Sequence, residues 1–176
     1  MRLRSFASAA LSLLIAAPAF AQSASPLDVF IDKSRPGIKL ELISRIETGI
    51  FDDSAAEIAG YDRESFRLFV TNSAENSVMI FDLTDQSNPT QVGTINLDAF
   101  GGGINSVAAS NGLVAAAVEA DPVTDPGQVV FFDIDGQLLG SAQAGALPDM
   151  VTFTTDGTRV ITANEGEPDD GGCRRW

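Results

Sequence analysis

Carboxylates and side-chain amides recur along this chain at a spacing that repeats. Glu57, Asn105 and Asp149 each open a short apolar run, at steps of 48 and then 44 residues. Asn72, Glu119 and Asn164 each close a second run, and Glu165 and Glu167 follow the last of them. Further acids sit in the loops beyond, at Glu75, then Asp121 and Asp125, then Asp169 and Asp170. Hard cations such as calcium take roughly six to eight oxygen ligands from carboxylates, amide oxygens and carbonyls. An acidic mouth of this composition can hold such a cation, or recruit it together with a phosphate ester. The residues therefore divide into a candidate ligand-binding face, Glu57, Asn72, Asn105, Glu119, Asp149 and Asn164, and candidate metal ligands, Asp121, Asp125, Glu165 and Glu167. No D-x-[DN]-x-[DN]-G loop is present, and Asp121-Pro-Val-Thr-Asp125-Pro-Gly127 also reads as an ordinary turn. Solvated acidic loops and a ligand or cation site both remain open.

Other chemistries have less to work with. The sequence has no histidine and one cysteine, Cys173. Ser-His-Asp and Cys-His catalysis, histidine-ligated zinc and a disulfide framework are thereby excluded from within this segment. Gly101-Gly102-Gly103 leads into no helix, so it reads as a flexible connection and not as a phosphate-binding fingerprint. Ser54, beside Asp52 and Asp53, has no visible base and reads as loop.

The elements that carry these residues are short strands. The first repeat predicts strands over 58–61, 67–71, 78–82 and 91–97, and the second over 106–109, 113–118, 129–133 and 138–142. A third repeat stops after two, 151–153 and 159–162. Val, Ile and Phe fill them, and Asn, Asp, Ser, Gly and Pro separate them for the usual turn reasons. The second-run ends Val70, Val118 and Thr162 repeat the steps of 48 and 44. The phenylalanines at 66, 69, 81, 131, 132 and 153 read as core. Copies of this length suggest the blades of an all-β, YVTN/WD40-like β-propeller, about two and a half blades out of roughly six to eight. In such a blade the first two strands run antiparallel. The start of the first and the end of the second then lie on one face, and the candidate residues gather around one mouth.

The flanks set the compartment. Arg2 and Arg4, the apolar stretch 7–17 and Ala19-Phe20-Ala21 form a secretory signal over 1–21. Its loss takes the formal net charge from −13 to −15, a surface that disfavours nucleic acid and favours cations or basic partners. No later stretch is apolar enough to span a bilayer. Residues 22–38 read as a linker, and 39–48 alternate as a half-buried strand at the head of a partial propeller domain over 39–171. Residues 172–176 depart from the pattern, as a frameshift or truncated frame would; the other reading is a short protein that completes its sheet by self-assembly.

The strings LFVTNSAENSVMIFDL (68–83), GGGINSVA (101–108), VAAAVEADPVTDPGQVVFFD (114–133) and ALPDMVTFTTDGTRVITANEGEP (146–168) resemble the choice-of-anchor I family of secreted bacterial β-propellers. Members are longer and carry further blades after the NEGEP segment. Some are labelled alkaline phosphatases, so the resemblance implies an alkaline phosphatase-like phosphomonoesterase, which the acidic loops would make calcium-dependent, as the alternative to a binding or scaffold module. The expectation is an exported module, periplasmic or extracellular, for a small ligand, a cation or a cell-surface partner. A third reading is a non-functional truncated product, because each repeat needs neighbours to cover its faces.

Overall fold

Runs of Val, Ile, Phe and Ala separated by Asn, Asp and Gly turns build antiparallel meanders. The structure, a computed structural model, describes residues 41–166. The signal sequence expected over 1–21, the linker expected over 22–38, Glu167, Cys173 and the 172–176 tail lie outside the described residues. The first sheet is β1 (Ala59–Asp62), β2 (Arg67–Asn72), β3 (Ser77–Asp82) and β4 (Thr90–Asn96), paired in chain order. The second is β5 (Gly103–Ser110), β6 (Leu113–Glu119), β7 (Pro126–Asp133) and β8 (Leu138–Ala146), again in chain order. A third, two-stranded sheet pairs β9 (Pro148–Phe153) with β10 (Val160–Asn164). Every pairing is antiparallel, and among the described residues there is no α-helix. All ten strands belong to the unit that begins at Leu42.

Side chains that alternate along the strands pack the sheets face to face. Phe69, Val78, Ile80 and Ile95 of the first sheet, with Leu97 just beyond β4, meet Ile104, Val107, Val114, Ala116, Val118, Val130 and Phe132 of the second. The opposite face of the second sheet presents Ala115, Ala117 and Val129 to Val151, Phe153 and Val160 of the third. β6 is thus covered on both sides, and its sequence LVAAAVE is a nearly continuous apolar run for that reason. Its alanines let neighbouring sheets approach closely without leaving voids.

Turn chemistry sets register. Ser110 pairs with Leu113, so Asn111-Gly112 alone reverses the chain, with φ of 52° and 81°. Both values are positive, as a type I′ hairpin requires, and Asn-Gly is its preferred pair.

Three expectations are corrected. Residues 41–48 form no strand. Ile46 and Ile50 lie over Met79 and Phe81 on the outward face of the first sheet, so the alternating residues cover a face and do not extend an edge. Phe66 is not core: it is 45% exposed at a φ of 56° in the β1–β2 turn. Several strands also start earlier than their patterns suggest, as at Pro126, which pairs with Ala146 despite its turn-forming sequence.

Candidate functional site

The register places the carboxylates and amides at one end of the sheets. β1, β5 and β9 begin there, and β2, β6 and β10 finish there. Two β-bulges shape that end. Ile104 pairs with Val118 and Ser106 with Ala117, which leaves Asn105 as the extra residue. Pro148 pairs with Asn164 and Met150 with Ala163, which leaves Asp149 in the same role. A bulge re-aims the side chain it carries. Asn105 and Asp149 are therefore equivalent, as the step of 44 implies. The second strands are not offset by 44: Val118 corresponds to Asn164 and Glu119 to Glu165, because the 154–159 turn is longer than Asn111-Gly112. The Glu165 amide donates to Leu147 O at 2.9 Å, as expected for the residue opposite the start of a first strand.

These groups are tied into clasps between sheets. Asn105 Nδ2 donates to Glu119 Oε2 at 3.0 Å and to Pro148 O of the third sheet at 3.4 Å. Ser73, in the 3-10 turn Ser73–Glu75, holds its Oγ 3.0 Å from Glu57 Oε2 and 3.2 Å from Ile104 O of the second sheet. The arrangement recurs in outline: a side-chain donor stands between a carboxylate and the carbonyl just before the bulge of the next sheet, with a proton for each acceptor at Asn105 and one hydroxyl proton shared between them at Ser73. Gly101 fits because a Cβ there would stand 2.1 Å from Glu119 O, while the Gly102 amide donates to that oxygen at 2.9 Å. Close backbone approach, more than flexibility, explains this glycine.

The six face residues separate. Glu57, Asn105 and Glu119 join the clasps, and Asp149 and Asn164 are exposed in the third sheet. Asn72 is buried on the outward flank of the first sheet, where its Nδ2 donates to Glu75 Oε2 at 3.1 Å. Asp121 and Asp125 are exposed in the β6–β7 loop, and Glu165 is exposed beyond β10. Among the described residues, no three of His, Cys, Asp and Glu come together to hold a metal ion.

Between the ends, the three first strands flank an open groove of about 470 Å³. Small residues line it, including Ala59, Gly60, Ser106 and Ala108, and Asp149 stands with them. β1, β5 and β9 are each the outermost strand of their sheet, so the groove is bordered by strand edges; one edge amide, Val151 N of β9, already donates to Ser106 Oγ of β5 at 3.2 Å, and guest pairing is left to the other edge groups.

The opposite end holds a group that its turn sequence disguises. Asp62 is 1% exposed; its Oδ2 accepts from the Ser65 amide at 3.1 Å and the Ser65 hydroxyl at 2.6 Å, and its Oδ1 from the Gly112 amide of the second sheet at 3.2 Å. Burial pushes its pKa upward, but the bonds from Ser65 and from the Asn111-Gly112 turn outweigh it and hold the carboxyl below its ordinary value. Asp156 is held down to about 2, first by the Thr154 hydroxyl and then by the Thr158 amide and hydroxyl. Both carboxylates organise turns.

Comparison with known proteins adds fold and family. The structure is similar to that of the Kuenenia stuttgartiensis hydrazine synthase, with a TM-score of 0.53 and 17% sequence identity. The match covers 69% of this chain and 33% of that one, so this chain spans about a third of its length, and the likeness is one of fold. No protein of curated function matches the sequence. The choice-of-anchor I domain model matches residues 57–174, about two thirds of the chain, and the chain belongs to that family.

Proposed function

We propose that the three sheets are blades of an exported β-propeller and that the chain acts as a binding or scaffold module. The groove bordered by β1, β5 and β9 carries this reading, because it combines backbone edges, small side chains and an exposed carboxylate at Asp149. It suits a small polar ligand, or the extended segment of a cell-surface partner, that places a positive group at Asp149. The formal net charge of −13 draws such ligands to the molecule.

Glu57 and Glu119 serve the inter-sheet clasps, which leaves few free carboxylates at this end. A cation here is therefore mostly hydrated or organic. Calcium would draw on Asp121, Asp125, Glu165 and Glu167 only with water or ligand oxygens completing its shell. The segment 1–21 supports export to a periplasm or beyond. Among the described residues no helix is long and apolar enough to cross a membrane.

The test is a thermal-shift titration of the full chain at physiological salt with calcium chloride and, separately, with tetralysine. A saturable rise in Tm with either, absent in Asp149→Asn, supports the reading. No shift with both probes, or an equal shift in Asp149→Asn, overturns it.

A further inference from the structure

A second recess lies away from the groove, on the outward flank of the first sheet. It measures about 210 Å³, with Asn72, Glu75, Met79, Phe81, Gln91 and Thr94 on the sheet side. Residues 46–50 contribute Ile46, Glu47, Thr48 and Ile50 from the covering segment. Asn72 is 2% exposed, and with Nδ2 committed to Glu75 its Oδ1 has no partner. Directly opposite in the β2–β3 register stands Ser77, equally buried, whose Oγ is also unpartnered. Buried polar atoms are nearly always satisfied, and of the two only Asn72 lines the recess, so its Oδ1 is the atom there that calls for a missing partner.

The chemistry of that partner follows from the lining. An amide oxygen only accepts, so the guest must donate. Glu75 and Glu47, the latter approached by Arg45 at 3.9 Å, favour a positive donor. Ile46, Ile50, Met79 and Phe81 supply apolar walls where a hard metal ion would want oxygens. A primary ammonium on an alkyl chain satisfies both, because its methylenes lie on apolar surface while its head remains hydrogen-bonded. We infer that this recess binds a primary alkylammonium group, donated to Asn72 Oδ1 and balanced by Glu75. The group is either the lysine side chain of a partner protein or a free aliphatic amine. This site is independent of the groove.

The experiment titrates the full chain at physiological salt with n-pentylamine, following the Met79 methyl and Asn72 side-chain amide signals by NMR. Parallel titrations use n-pentanol, calcium chloride and Nα-acetyl-lysine amide. The expected result is saturable binding of pentylamine and none of pentanol. Affinity should fall by about tenfold or more in Asn72→Leu and several-fold in Glu75→Gln, and be unchanged in Asp149→Asn. Acetyl-lysine amide binding as well as pentylamine points to a partner's lysine; pentylamine alone points to a free amine. Three results overturn the inference: no pentylamine binding, pentanol binding equally, or undiminished binding in Glu75→Gln, whose exposed position leaves the fold intact. Because Asp149→Asn affects only the groove, failure here and failure of the groove reading are separable.

Discussion

Asn105 Nδ2 stands 3.0 Å from Glu119 Oε2 within its own sheet and 3.4 Å from Pro148 O in the next. One side chain thus fixes both the bulge it occupies and the neighbour against which the sheet packs. Ser73 does the same between Glu57 and Ile104 O, at 3.0 and 3.2 Å. The polar residues at this end are in large part the fastening of one sheet to the next.

Asn105→Ala removes a donor shared by two acceptors and leaves Glu119 without it. Urea denaturation should show a loss of about 1–3 kcal/mol, the cost of stripping a bond from a half-buried carboxylate. Unchanged stability would mean the clasp is incidental.

Asp62 gives the molecule a pH dependence with a fixed sign. Its folded pKa lies below the unfolded value of about 3.9. The stability it contributes is therefore fully present above that value and is lost as pH falls through the folded pKa. Asp82, Asp85 and Asp156 are lowered too and lose their share over the same acid range. Asp62→Asn should be less stable at neutral pH and should lose less on acidification. Parallel pH profiles for the two proteins would contradict the assignment.

Gly101→Ala and Gly93→Ala are a matched pair. A Cβ at Gly101 meets Glu119 O at 2.1 Å, whereas at Gly93 the nearest atom is Ile80 Cδ1 at 3.4 Å. The first should cost about 1–3 kcal/mol through forced backbone shift, and the second well under that. Comparable denaturation midpoints would show that the 97–102 connection yields freely.

Phe69→Ala empties the centre of the core between the first two sheets, where Phe69 is 0% exposed. A loss of about 3–5 kcal/mol is expected in chemical denaturation. Cooperative unfolding at wild-type midpoint would contradict the packing.

Much of the architecture was legible because strand signals are local. Asn111-Gly112 declared its hairpin, and the apolar runs declared ten strands. What sequence hid was relational. The strand expected over residues 39–48 alternates correctly, yet no residue in it says that Ile46 will cover a face and not pair with an edge. Asn105 and Asp149 read as face residues, but the bulges that aim them appear only in the register. Equating Val118 with Thr162, 44 residues on, fails because the turn between the paired strands is longer in the third repeat, so that Asn164 is the counterpart of Val118. Asp62 opens a turn-forming sequence, yet its bond to Gly112 spans 50 residues and no local pattern marks it.

The most direct test of the binding reading is isothermal titration calorimetry of the full chain and of Asp149→Asn, with tetralysine and with calcium chloride at physiological salt. The account predicts saturable binding of at least one probe to the parent chain, with affinity reduced about tenfold or more by Asp149→Asn. Heats that never saturate, or identical isotherms for the two proteins, would contradict a ligand-binding groove at β1, β5 and β9.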